Sequence, residues 1–234
     1  MRKGPRNSWE LFRADAKAEG TVIVLGGWCL PGGREDPAQA KWFSVTLGPE
    51  EVPWAYAKGL PYRVVAALEL LATIICLMLF VKAAAAPKGA ALRLVGSTDN
   101  KTNSAVISKY MTTAFPLSVI LMELATLAQD LNVQLALEWR ARELNIEADA
   151  LTNLDFSAFK AENRLPVVFQ ELPWRVMPSM MDAGIALFEM ARKAREQAKQ
   201  SRLAGKSQGE DEGAGGAPRE TRQRSGGLKG AHPW

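Results

Sequence analysis

The chain has 234 residues, 47% of them hydrophobic, which allows one sizeable domain with appendages. Its net charge of +4 is uneven: from Arg192 onward ten Lys and Arg face five Asp and Glu, a tail of +5, and residues 1–191 come to −1, so the basic pI is no argument for a nucleic-acid-binding body. The single histidine, His232, is third from the end, and Cys29 and Cys76 form no ligand spacing, which excludes a His-dependent nucleophile or a His/Cys metal site in the body and leaves the chemistry to carboxylates.

Residues 1–8 read as an irregular lead-in; the start is basic, but no apolar run follows it closely, so no secretory signal is expected. Trp9 to Ala16 reads as a strand with Leu11 and Trp9 facing inward and Asp15 at its end. Lys17 to Gly20 is a turn. Thr21 to Leu30, β-branched and apolar, pairs back as a hairpin. In that second strand Gly26-Gly27 brings the backbone close to a neighbour or bulges it. A loop follows to Ala40, and Lys41 to Leu47 alternates as a third strand.

After a connection carrying Trp54, Pro61 or Tyr62 opens a long helix to about Lys82, with Val65, Leu68, Ala72, Ile75 and Leu79 at helical spacing. The apolar run 64–86 is long enough to span a membrane. It contains Glu69, has Lys82 near its end and closes on alanines, so a buried core helix is the expectation, with no membrane partner.

Leu92, Leu94 and Val95 form a short buried strand ended by Gly96 and Ser97, with the lone carboxylate of Asp99 just beyond. Asn100, Thr102, Asn103 and Ser104 can each cap the helix that follows, from about Thr102 to Thr113. Pro116 opens another helix, whose stripe runs Leu117, Ile120, Leu121, Leu124, Leu127, Ala128 and Leu131; Glu123 is free to point to solvent and is given no role. Val133 to Trp139 alternates as a fifth strand, and Asn145 to Thr152 is a short helix. Three strands on short turns followed by helix-linked strands predict an α/β fold: a mixed five-stranded sheet, three strands antiparallel and a parallel half, flanked by helices. The domain is expected over residues 9–159. An extension over 160–203 carries a helix from Met180 to Leu203, and a disordered basic tail covers 204–234.

Four acids fall where these elements can converge: Asp15, Glu69, Asp99 and Asp149. An acid at the carboxyl end of a sheet strand lies where α/β sheets place their ligands. Glu69 is the most telling, because a buried unpaired charge is costly; Asp15 competes with Glu19 as a turn acid, and Asp149 with Glu147 as a surface acid. Carboxylates crowded together repel unless a cation joins them. Magnesium, hard and oxygen-seeking, suits the donors, with manganese as the substitute. Two such ions about 4 Å apart suit phosphodiester hydrolysis.

The motifs around these acids resemble the ribonuclease H family, in particular the ribonuclease H domains of retrotransposon reverse transcriptases. Asp15-Ala16-Lys17-Ala18-Glu19-Gly20 with Gly26-Gly27-Trp28 is similar to the first acid and its glycine-bearing hairpin. Leu68-Glu69-Leu70-Leu71-Ala72 resembles the helix with the second acid, and Ser97-Thr98-Asp99-Asn100 the third motif. Asn145-Ile146-Glu147-Ala148-Asp149-Ala150-Leu151-Thr152 resembles the closing Asn-x-x-x-Asp-x-Leu-Ser pattern. The resemblance spans roughly Trp9 to Phe159.

It implies a magnesium-dependent endoribonuclease that cuts the RNA strand of RNA–DNA hybrids with two metal ions. Asp15, Glu69, Asp99 and Asp149 would be ligands, and Asn145 would pin the helix of the fourth acid. Asn100 and the backbone near Ala16 and Gly20 would meet the 2′-hydroxyl, and Lys101, Lys109, Arg140 and Arg142 the phosphates. It further implies a polymerase domain or other retroelement proteins as partners, in a reducing compartment, cytoplasmic or nuclear. The sequence departs from the pattern in two places: Leu137 to Leu144 carries no histidine, and Thr152-Asn153 replaces Ser-Arg. No polymerase domain precedes residue 1, so a fragment or decayed copy is the parallel expectation, an inactive module with the same fold that binds nucleic acid or another protein.

Overall fold

The computed structural model describes residues 10–30, 32, 34–81 and 91–208, with side chains through residue 201. The lead-in and Trp9, the alanine run after Val81 with Lys82, and the tail from residue 209, His232 included, lie outside the described residues.

The strands are β1 (Glu10–Glu19), β2 (Val22–Cys29), β3 (Trp42–Leu47), β4 (Leu92–Thr98) and β5 (Val133–Trp139), and the helices are α1 (Val65–Phe80), α2 (Lys101–Lys109), α3 (Leu117–Asp130), α4 (Ile146–Thr152) and α5 (Met177–Gln208). They build one sheet in the order β3-β2-β1-β4-β5. Its β1–β2 and β2–β3 pairs are antiparallel, and its β1–β4 and β4–β5 pairs parallel. The mixed sheet expected from the element order is therefore present.

The hairpin differs from its expected form. β1 continues to Glu19, which pairs with Val22, and the turn is the two residues Gly20-Thr21, with Gly20 at φ +59. Asp15 accordingly lies inside the strand, opposite Gly26, and not at its end. The two glycines of β2 do bring the backbone close to neighbours. A Cβ on Gly26 would stand 2.7 Å from Cβ of Leu151 in α4, and one on Gly27 would stand 2.5 Å from Sγ of Cys76 in α1. Consecutive strand residues face opposite sides, so both helices press onto the sheet at this one dipeptide.

α1 is the core helix of one face: residues 67–77 are all buried, packed with Phe12, Ile23, Leu25 and Phe43 of the sheet and Ile120 and Leu124 of α3. The segment Pro61–Phe80 is long and apolar enough to cross a membrane: an 18-residue stretch of it has a mean hydropathy of 2.2, and 67% of that stretch is buried inside the protein. The opposite face is covered by α4, where Trp28, Leu30, Trp42, Leu151 and Phe159 form a second cluster.

Three further details depart from the sequence reading. α2 stops at Lys109 and not near Thr113, because Tyr110 turns left-handed at φ 48. Glu123 does not face solvent: it is fully buried, and its carboxylate accepts hydrogen bonds from the backbone N–H groups of Arg175, Val176 and Met177 at 2.7–2.8 Å, so it caps the start of α5. Phe169, Met177 and Met181 join the main core, so residues 160–188 belong to the same compact unit as the sheet. A second unit begins at Glu189. There α5 runs to Gln208, five residues past its expected end; Arg, Lys, Gln, Glu and Ala favour helix over coil.

Candidate metal centre

β1 and β4 are parallel neighbours in register at Arg13 and Ser97. Two residues further along the chain stand Asp15, inside β1, and Asp99, one residue past the end of β4, so the register itself sets the two carboxylates side by side. α1 crosses β1 and contributes Glu69 from its second turn. Oxygens of Asp15, Glu69 and Asp99 all lie within 4.8 Å of one another. Asp15 and Glu69 are buried, Asp99 half-buried.

Neighbouring side chains hold the triad in place. The hydroxyl of Thr152, at the end of α4, lies 3.0 Å from Oδ2 of Asp15. Thr98 Oγ1 lies 3.4 Å from Oε2 of Glu69, and Asn103, fully buried, donates Nδ2 to the Ala66 carbonyl at 2.9 Å and stands 3.5 Å from the same Oε2. Asn100 caps α2, its Oδ1 accepting from the N–H groups of Thr102 and Asn103, and its side chain favours the ionised form of Glu69. Of the four cap candidates, Asn100 is the cap. Thr98, Asn103 and Thr152 were not recognised from the sequence as neighbours of the acids. The available signal was position: each lies one to four residues from an acid of the set.

The electrostatics follow from this packing. Burial, then the charge of Asp99, pushes Glu69 up to about 8, against the hydrogen bonds from Asn100 and Thr98. Burial and Asp99 push Asp15 up to about 6, with the Thr152 hydrogen bond opposing. Asp99 is raised by burial, and the Arg142 guanidinium counters the rise. Three mutually repelling carboxylates, two of them buried, offer hard oxygen donors and nothing else, so the residues fit a divalent cation such as magnesium or manganese.

Asp149 stands apart from this group. Arg142 grips its Oδ1 with Nε at 3.2 Å and Nη2 at 2.6 Å, and Asn153 donates to its Oδ2 at 2.8 Å. Asp149 still acts on Asp15 and Asp99 through its charge. Asn145 is buried and reaches the Ala14 carbonyl at 3.5 Å, beside Asp15, which ties the start of α4 to β1. The remaining cations of the sequence set divide by surroundings. Arg140 is drawn into an ion pair with Glu10 at 2.7 Å, within the network of buried Arg13. Lys101 lies 4.5 Å over the ring of Trp139, and Lys109 is exposed at the end of α2.

No family model and no curated protein matches the chain. Among solved structures it is similar to ribonuclease H1 of the halophilic archaeon Halobacterium salinarum, at 13% identity and a TM-score of 0.34, over 62% of this chain and 96% of that one. It is also similar to an N-terminal ribonuclease H domain from Mycobacterium tuberculosis, solved as a fusion with maltose-binding protein, at 17% identity and a TM-score of 0.35, over 63% of this chain and 92% of that one.

Proposed function

We propose that this chain is a ribonuclease H-type endoribonuclease that cuts the RNA strand of RNA–DNA hybrids with the help of divalent cations, and that it derives from a retroelement reverse transcriptase. The observation that carries the reading is the convergence of Asp15, Glu69 and Asp99 from a strand, a helix and a neighbouring strand end onto one point. Among the described residues, which include no histidine, these three acids form the group whose oxygens lie close enough together to share one cation.

Asp15, Glu69 and Asp99 would hold magnesium, with manganese able to substitute, and Asp149 would serve a second ion. A bound divalent ion there activates water and offsets charge on a phosphodiester. Thr98, Asn100 and Asn103 orient Glu69, and Thr152 orients Asp15, so the acids need little rearrangement when a cation enters. Asn100 beside the site is the candidate for reading a 2′-hydroxyl, with Lys101 and Lys109 on the exposed side of α2 as phosphate contacts. The two free cysteines are in keeping with an intracellular, cytoplasmic or nuclear setting. A polymerase domain or other retroelement proteins would be the partners.

One observation favours the second reading, an inactive module of the same fold that binds nucleic acid or another protein: Asp149 is held by Arg142 and Asn153, outside the triad. Cleavage of a labelled RNA–DNA hybrid by the full chain, with magnesium or with chelator and beside Asp99→Asn, separates the two. Metal-dependent cleavage lost in Asp99→Asn is the expected result. A well-folded protein that binds the hybrid without cutting it supports the second reading.

A further inference from the structure

We infer that Arg142 is an internal counter-cation that competes with a second divalent ion for Asp149. The inference rests on the reading of Asp15, Glu69 and Asp99 as a cation site.

Both oxygens of Asp149 already have donors: Oδ1 takes two N–H groups of the Arg142 fork, and Oδ2 takes the Asn153 amide. The guanidinium charge is also felt by Asp15 and Asp99. A divalent ion that takes Oδ1 of Asp149 must therefore displace the fork, and one that takes the remaining acceptor site of Oδ2 must still overcome the repulsion of the guanidinium. The backbone keeps the two partners together. A 3-10 turn at Arg142–Leu144 closes with Asn145 N–H on the Arg142 carbonyl at 2.9 Å, and the first turn of α4 closes with Asp149 N–H on the Asn145 carbonyl at 3.0 Å. Asn145, between them, is fixed to β1 at Ala14.

The pair is nevertheless poised to open. The Arg142 side chain is 73% exposed and that of Asp149 30%; water and salt screen such a pair and leave it weakly held. Arg142 is thus placed to give way to an ion or to follow a phosphate into the site. The triad, which Arg142 does not grip, takes the first ion whether the pair is open or closed.

Manganese titration of the full chain, followed by calorimetry and by the electron paramagnetic resonance of free Mn2+, tests this without recourse to activity. Wild type is expected to take one ion tightly and a second at least ten-fold more weakly. Arg142→Gln should tighten the second step ten-fold or more and the first, which feels the guanidinium only at a distance, by clearly less. Asp149→Asn should remove the second step, alone and together with Arg142→Gln. Arg142→Lys, which keeps the charge and loses the fork, should fall between wild type and Arg142→Gln. An Arg142→Gln isotherm that superimposes on wild type, or weakens, overturns the role of Arg142 and leaves the triad site standing. If no variant binds manganese, the cation-site reading falls, and the inference with it. Were Arg142→Gln to misfold, the lysine variant would decide: binding identical to wild type at both steps would equally overturn the proposal.

Discussion

The hydroxyl of Thr152 lies 3.0 Å from Oδ2 of Asp15, joining residues 137 positions apart, and 2.9 Å from the carbonyl of Asp149. The last turn of α4 is in this way fastened to the middle of β1 beside the acidic triad. Removing the hydroxyl removes a bond that stabilises the Asp15 carboxylate. Thr152→Val should raise Asp15 above about 6, weaken manganese binding several-fold at pH 6, and cost about 1 kcal/mol of stability. Manganese titration at pH 6 and urea denaturation check both effects.

Glu69 and Asp15 are raised from 4.5 to about 8 and from 3.8 to about 6. Over that range the folded, metal-free protein holds protons that the unfolded chain has released. The two groups therefore detract from stability progressively as pH rises from about 4 to about 8, and the cost is complete above the folded values. Glu69→Gln removes the larger part. It should flatten the profile and exceed wild type by a few kcal/mol at pH 9 in chelator, a scale set by about 1.4 kcal/mol per pKa unit. Denaturation from pH 5 to 9 measures it; a variant no more stable than wild type at pH 9 would contradict the assigned burial cost.

Cation binding should run the opposite way. A divalent ion must displace the proton of Glu69, so its affinity should rise by roughly ten-fold per pH unit between pH 6 and 8 and level off above. The rise in melting temperature on adding magnesium should grow over the same interval. Calorimetry in buffers of different ionisation enthalpy would count the released proton.

Gly26→Ala tests the seat of α4. Its Cβ would stand 2.7 Å from Cβ of Leu151 and 3.3 Å from the Leu151 backbone, so the helix as a whole must move. A loss of about 1–3 kcal/mol is expected, together with weaker manganese binding, because Thr152 and Asp149 travel with the helix. Equilibrium denaturation and the same titration provide the readouts.

Glu123→Ala is the contrasting case. Three backbone N–H groups at the start of α5 lose their acceptor, at a cost of about 2–4 kcal/mol. Manganese binding should be unchanged, since Glu123 takes no part in the triad. Unfolding curves and the metal isotherm together separate this carboxylate from the other buried acids.

Much of the frame was legible in the chain. Alternation marked β3 and β5 within a residue of their bounds, and the apolar periodicities marked α1 and α3, because side-chain burial repeats every two residues in a strand and about every 3.6 in a helix. Glu69 announced itself as a lone acid in an apolar helix, and Asp99 as an acid beyond a strand end. These are local signals, carried by a few neighbouring residues.

What the local pattern did not contain was decided by contacts between distant segments. Glu123 looked like a solvent-facing acid because nothing within α3 reveals the backbone N–H groups that α5 brings to it 52 residues later. Asp149 read as an equal member of the acidic set, and the Arg142 fork sets it apart. The place of Asp15 inside β1 followed from a two-residue turn at Gly20-Thr21, and its nearness to Asp99 from the parallel register of β1 and β4. The sequence by itself determined which residues carry charge and which spacings bury apolar surface. Only the tertiary structure decided which charges meet, because Coulomb and hydrogen-bond energies depend on distances through space that no spacing along the chain encodes.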